Sequence, residues 1–312
     1  MICIQIQWWL WNQLFQYAFG QVIAKHYNTK VIYDIGTYDP LSVFSIMSKL
    51  GFFTTRKFEL SRLVNDLQVA SVVDKFRLRS TIFHKIYVKL LDIKQNNHKS
   101  ENIWYIYDQS WLELNDTDKI NYFFSGTWNV AKYYESAKSE IVRKISLKSR
   151  SYKLVELSDL LAQQKNDWIE TIAIHVRRWD YVKLGMVICD ANYYENGIKQ
   201  IIKNSWNAGL HIYIFSDDHD QTLCDLPFLA DYDKTFVNFD DYEKANNCQI
   251  KWWDDVEKFD LMIQCKNHII ANSTYSRRWA YIWWDNGTVI APINWIKWVV
   301  NNEITPKEWI KL

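Results

Sequence analysis

Apolar and polar residues alternate at the start of the chain, where Ile2, Ile4 and Ile6 are separated by Cys3, Gln5 and Gln7. A period of two predicts a strand. A short loop comes next and the period changes. Leu14, Phe15, Ala18, Phe19, Val22 and Ile23 recur at spacings of three and four, which predicts a helix with one apolar face. Val31-Ile32-Tyr33-Asp34-Ile35 predicts a second strand. Strand, loop, helix and strand in this order form a βαβ unit, the crossover that parallel strands need.

Residues 36–150 show no sustained period. Within them Lys75, Arg77, Arg79, Lys85, Lys89 and Lys94 interleave with Phe76, Ile82, Phe83, Ile86, Val88 and Leu90. That stretch fits a helix with a solvated basic face. It also fits a segment lying on an anionic membrane surface or meeting an acidic acceptor.

Residues 146–168 are polar with helical spacing and precede a new series of short apolar runs. Residues 171–176, 211–215, 268–271 and 288–291 predict strands, and a helix is expected near 191–204. This alternation predicts a second parallel α/β domain. The boundary is read at 165/166, which gives domains 1–165 and 166–312.

A chain of 312 residues suits two domains of ordinary size. Its 37 Lys and Arg against 36 Asp and Glu exclude the basic excess of a general nucleic-acid binder, yet leave room for a local anion site. The 5 cysteines are odd in number and lack a Cys-x-x-Cys pair, so neither a disulfide framework nor a zinc site is expected. The start lacks a basic segment before an apolar run, and no apolar run approaches about 18 residues; a cytoplasmic chain without a spanning helix is expected. One total is unusual. Trp occurs 17 times and Gly only 8, whereas average usage of about 7% would give roughly 22 glycines.

In open α/β sheets, ligands bind beyond the carboxyl ends of the strands. Each expected strand leads into polar or aromatic residues: Trp8-Trp9-Leu10-Trp11-Asn12-Gln13, then Arg177-Arg178-Trp179-Asp180-Tyr181, Ser216-Asp217-Asp218, and Asn272-Ser273-Thr274-Tyr275-Ser276-Arg277-Arg278. Two adjacent arginines suit a pyrophosphate, because each offers a fixed charge and a planar fork of donors. Asp180 is placed to orient one of them. An ion pair between domains is the alternative reading. Asn272, Ser273, Thr274 and Ser276 suggest a helix start, either as a simple cap or as an anion site. Asp217-Asp218 fits a metal site or a strand-end turn; the arginines already neutralise a diphosphate, so no metal is expected. No phosphate-binding Walker loop, dinucleotide fingerprint, serine elbow or paired-histidine zinc motif is present.

Together these segments resemble the bacterial α-1,2-fucosyltransferases of glycosyltransferase family 11. The resemblance runs nearly end to end, through Asn12-Gln13-Leu14-Phe15-Gln16-Tyr17-Ala18-Phe19-Gly20, Arg56-Lys57-Phe58-Glu59-Leu60, His175-Val176-Arg177-Arg178 with Asp180-Tyr181, Tyr193-Tyr194, Phe215-Ser216-Asp217-Asp218, Asp260-Leu261-Met262 and Ile270-Ala271-Asn272-Ser273-Thr274-Tyr275-Ser276. It implies a GT-B fold, with two Rossmann-like domains facing a cleft, the first on the acceptor side and the second binding GDP-fucose. It implies transfer of fucose to the 2-hydroxyl of a galactoside with inversion, without metal or other cofactor. His175, Arg177 and Arg178 are then the catalytic group at the diphosphate. Asn12, Gln13, Asp180, Ser216, Asp217, Asp218, Asn272, Ser273, Thr274 and Ser276 are the expected donor contacts. The expected partners are GDP-fucose and a galactose-containing oligosaccharide or lipid-linked glycan, with peripheral contact at the inner membrane face and no nucleic acid.

The resemblance departs at defined places. Where the family pattern has glycine, this chain has Trp8, Trp9, Trp11, Trp179 and Trp279; where it has tryptophan, this chain has Arg277 and Arg278. Glycine serves positions of positive φ or close backbone approach. These departures open a second reading: a catalytically impaired homologue, or a non-catalytic protein that stacks glycans on its tryptophan rings.

Overall fold

The computed structural model describes residues 1–8, 10–40, 42, 45–46, 57–77, 97–100, 103–107, 121–126, 128, 138–145, 150–178, 189–205, 209–237, 254–283, 287–296, 299–300 and 305–312. The chain divides into two compact units, Met1–Ser146 and Leu147–Leu312.

In the first unit, β1 (Ile2–Gln5), α1 (Leu10–His26) and β2 (Val31–Asp34) form the βαβ unit that the alternation predicts. After them come α2 (Val72–Arg77), β3 (Asn97–Ser100), β4 (Ile103–Tyr107), β5 (Asn121–Ser125) and α3 (Lys138–Lys144). The sheet order is β2-β1-β5-β4-β3. β1 lies parallel to both β2 and β5, and only the edge strand β3 runs antiparallel. α1 buries Leu14, Phe19 and Ile23. Phe19 stacks on Trp128 at 4.2 Å, and Phe124 meets the same ring edge-on at 5.7 Å.

The second unit contains α4 (Tyr152–Asn166), β6 (Ile169–Val176), α5 (Ala191–Lys203), β7 (Gly209–Ser216), α6 (His219–Asp225), β8 (Lys234–Phe236), α7 (Asp254–Met262), β9 (Asn267–Ile269), α8 (Thr274–Trp283), β10 (Val289–Ala291), the pair β11 (Asn294–Ile296) and β12 (Val299–Val300), and β13 (Ile310–Lys311). The main sheet has the order β13-β10-β9-β6-β7-β8, and every pairing in it is parallel. Counted from β6, this is the doubly wound order 3-2-1-4-5-6 of a Rossmann sheet. The chain reverses its direction of travel between β6 and β9, so the binding crevice of such a sheet lies at their carboxyl ends. Core packing is close: a Cβ on Gly197 of α5 would stand 3.0 Å from Ile269.

The unit boundary falls before α4, not after it as the expected division at 165/166 has it. α4 buries Leu154, Leu157 and Leu161. Its Gln164 accepts a hydrogen bond from the Tyr213 hydroxyl at 2.8 Å, and its Ser158 accepts one from Gln264 at 3.0 Å. At the head of α4, the Ser151 amide and hydroxyl both donate to Glu257 of α7, at 2.7 and 2.6 Å. The outer face mixes polar residues with exposed Tyr152, Val155 and Leu160, so no clean apolar stripe marks its allegiance in the sequence.

Four described non-glycine residues have positive φ: Trp8 (73°), Asn28 (45°), Trp128 (50°) and Trp168 (57°). The left-handed region costs an L-residue about 1–2 kcal/mol. Trp128 offsets that cost with its buried aromatic stack. Trp168 remains 76% exposed and buries little, whereas Trp8 is 40% exposed. Trp168 directly succeeds Asp167, the C-cap of α4, where helices most often place glycine. Trp11 lies on α1 and Trp279 on α8, while Trp9 and Trp179 fall outside the described residues. Among the described residues no helix is long and apolar enough to cross a membrane. Of the basic stretch, Arg79, Lys85, Lys89 and Lys94 fall outside the described residues.

Candidate functional site

β6 is buried along almost its whole length, as expected of a central parallel strand covered on both faces. It ends at Val176, which pairs in register with Ser216 of β7. The next residue on each strand is therefore Arg177 and Asp217, side by side. Arg177 Nη1 lies 3.1 Å from Asp217 Oδ2, and the Arg178 amide donates to Asp217 Oδ1 at 2.8 Å. One carboxylate thus holds both arginines at the strand end.

The two arginines differ sharply in environment. The Arg177 side chain is 32% exposed, and that of Arg178 only 3%. Arg178 Nε donates to Asp225 Oδ2 at 2.6 Å, and its Nη1 donates to the carbonyls of Arg177 at 3.3 Å and Cys189 at 3.4 Å. Its guanidinium lies 6.0 Å from the centre of the Tyr194 ring. Of the pair, Arg177 alone presents its charge to solvent. Asp225 is the residue that sequence reasoning missed. It sits in the last turn of α6, and nothing in its local sequence marks it.

Ser216, Asp217 and Asp218 divide their work. The Ser216 hydroxyl donates to the Asp218 carbonyl at 3.0 Å and lies 2.7 Å from the Thr222 hydroxyl. Asp218 caps α6, accepting from the Gln221 amide at 3.0 Å. These contacts make a strand-end turn. Among the described residues no three His, Cys, Asp or Glu side chains converge as metal ligands would.

His175 is buried, and its Nδ1 has no hydrogen-bond partner. Burial first, then the nearby charges of Arg177 and Lys258, push the imidazole down to about 3, so the ring is neutral at ordinary pH. It lies 5.1 Å from the ring of Tyr275 in the first turn of α8. β6 and α8 therefore meet across the crevice where the strand order reverses. Ser273 caps this turn, accepting from the Tyr275 amide at 3.2 Å. Thr274 opens the helix. Buried Asn272 donates to the Trp295 carbonyl at 3.4 Å, and the Ser276 hydroxyl to those of Ala271 and Ser273 at 3.3 Å. Arg277 is buried too, 5.3 Å from the centre of the Trp295 ring.

In the first unit, the expected donor contact Gln13 has another task. Its amide donates to the carbonyls of Trp8 at 3.1 Å and Lys57 at 2.8 Å. Its oxygen accepts from the amides of Glu59 at 3.0 Å and Leu60 at 3.1 Å. All four hydrogen-bonding positions of the side chain are spent on backbone, so Gln13 ties a loop to α1. Asn12 is half-buried in the first turn of α1. Asp180 lies outside the described residues.

The model of glycosyl transferase family 11 matches residues 1–312. The O-antigen biosynthesis glycosyltransferase WbnK of Escherichia coli is 23% identical, with 97% of each chain covered. Among solved structures, the NodZ α-1,6-fucosyltransferase from Bradyrhizobium, soaked with GDP-fucose, aligns at 12% identity over 90% of this chain and 91% of that chain, with a TM-score of 0.45. A mutant of Arabidopsis thaliana FUT1 in complex with GDP aligns at 10% identity over 98% of this chain and 71% of that chain, with a TM-score of 0.47. The match to the family model spans the sheets of both units and the paired arginines at the end of β6, and the chain belongs to glycosyl transferase family 11.

Proposed function

We propose that the chain transfers fucose from GDP-fucose to the 2-hydroxyl of a galactoside, with inversion. The observation that carries this reading is the half-exposed Arg177 guanidinium, held by Asp217 at the reversal point of a Rossmann sheet, at the end of the strand whose His175 meets Tyr275 at the start of α8. A nucleoside diphosphate fits that place. Its phosphates meet a fixed cation and the free N–H groups of a helix start. As the sugar bond breaks, negative charge grows on the departing diphosphate, and a preorganised cation stabilises that state more than the ground state.

The roles are set by environment. Arg177 contacts the diphosphate. Arg178, buried against Asp225, shapes the strand end from below. Neutral His175 adds no further positive charge to repel Arg177. Asn12, Asp180, Ser273 and Thr274 remain proposed donor contacts, while Ser216, Asp218, Asn272 and Ser276 act by building the turns around them. Because arginine meets the diphosphate, turnover is expected to persist in EDTA.

WbnK acts in O-antigen biosynthesis, which supports a galactose-containing polysaccharide unit or its lipid-linked precursor as acceptor. A lipid-linked acceptor agrees with a peripheral position at the inner membrane face. GDP release with GDP-fucose and lactose tests the reading. Turnover that falls to background in Arg177→Ala is expected. No turnover with any galactoside, or equal rates in parent and variant, would overturn it.

A further inference from the structure

Arg178 occupies an unusual position in the chain. The residues immediately before and well after it, Arg177 and Cys189, both offer their backbone carbonyls to the same Nη1, at 3.3 and 3.4 Å. These two carbonyls bracket the connection from β6 to α5. One guanidinium therefore fastens the two ends of that connection together, directly beside the half-exposed Arg177. Asp225 fixes the guanidinium: its Oδ2 accepts from Arg178 Nε at 2.6 Å, and its Oδ1 accepts from Gln221 Nε2 at 2.7 Å. The second contact lies within α6, so the carboxylate is braced on its own helix. α6 is in turn capped by Asp218, next to the Asp217 that holds Arg177.

We propose that Asp225 is a positioning residue: through Arg178 it ties the end of β6 at Arg177 to Cys189, ahead of α5, and so sets the place of Arg177 at the donor. The chemistry suits the task. A buried arginine needs an anionic partner, and its planar fork serves several fixed acceptors at once. Removing the carboxylate leaves a buried charge that must seek water or another acceptor, and the two carbonyls lose their common donor. The gain for function is indirect, because Asp225 itself points its charge at Arg178 and not at the ligand. This proposal deepens the donor reading given above and rests on it only for its kinetic arm.

The test has two arms. First, backbone hydrogen exchange is measured in the whole chain without any ligand, in the parent, Asp225→Asn and Arg178→Lys. The clasp predicts that both variants exchange about tenfold faster at the Arg178 amide, which donates to Asp217, and at the Tyr193 amide, which donates to Asp190, with the rest of β6 and β7 unchanged. Equal exchange in parent and variants overturns the proposal, as does a uniform rise over the second unit, which makes Asp225 a general stabilising residue. Second, turnover is measured with GDP-fucose and lactose. Asp225→Asn is expected to raise the donor KM about tenfold while changing kcat less, and Asp225→Glu to restore most of the loss. An unaltered donor KM overturns the link to the donor. A parent without fucosyl transfer defeats the functional reading, while the exchange arm still decides the clasp.

Discussion

The two sheets end differently at their carboxyl edges. Beyond β1, the backbone is held by neutral amides and hydroxyls. Gln16 accepts from the Gln7 amide at 2.9 Å, Thr37 donates to the Ile6 carbonyl at 2.7 Å, and Gln13 and Tyr38 both donate to the Trp8 carbonyl, at 3.1 and 2.7 Å. Beyond β6, the same job falls to charges, with Asp217 on Arg177 and Asp225 on Arg178. A neutral lattice fixes a loop and asks nothing of solvent. A charged pair left half-exposed can exchange its partner for an anionic ligand. On the proposed function, the contrast separates a structural strand end from one that meets the donor.

The sharpest way to break that contrast is to remove Arg177. Arg177→Ala is expected to lower turnover about 10²–10³-fold, the loss typical of a single preorganised transition-state contact. Its melting temperature should barely move, because a partly exposed pair contributes at most about 1 kcal/mol. Turnover assays and thermal melts on the same preparation check both halves. At the other strand end the expectation reverses. Gln13→Ala removes four hydrogen bonds to the backbone of Trp8, Lys57, Glu59 and Leu60 and should cost about 3 kcal/mol in urea unfolding. That loss should be the same at low and high salt, since no charge is involved.

Acid sharpens the comparison further. His175 and His268 are buried and pushed down to about 3, chiefly by burial. Their unfolded values lie near 6.5, so the unfolded chain binds more protons between these limits. Stability contributed by the neutral rings is complete above about pH 6.5 and is lost as pH falls toward 3, at up to about 1.4 kcal/mol per pH unit for each ring. Denaturation at stepped pH should show this slope in the second unit, and His175→Gln should remove one ring's share.

The smallest expected effect concerns backbone strain. Trp168, with φ of 57° and 76% exposure, gains little from its side chain. Trp168→Gly should stabilise by about 1 kcal/mol. Trp128→Gly should destabilise instead, because it deletes the ring stacked on Phe19. Calorimetric melts of both variants read the opposite signs.

Much of this architecture is legible in the residue pattern. The first βαβ unit is visible as a period of two giving way to spacings of three and four. Strands β6, β7, β9 and β10 are visible as short apolar runs, and the first three lead into polar residues. Strands β3 to β5 are not legible, because short aromatic strands such as Ile103–Tyr107 lie in a long region without a sustained period. The arginine pair is legible as two adjacent charges at a strand end, but the burial of Arg178 and the exposure of Arg177 are not. Asp225 looks like any acidic residue on a helix surface until the fold brings α6 against the end of β6. Gln13 is visible as part of a motif, yet its role depends on carbonyls and amides from residues 57–60, which local sequence cannot bring near. The side chains whose partners are backbone groups elsewhere in the chain are the ones whose structural work sequence reading does not reveal.

Calorimetric titration of GDP into the parent and into Arg177→Ala, at low and raised salt, tests the central claim most directly. The account predicts that the parent binds GDP, that its affinity weakens as salt screens the charges, and that the variant binds about 100-fold more weakly with little salt dependence left. Equal affinities in parent and variant would contradict it, and would mean that the charged end of β6 is not where the donor's phosphates bind.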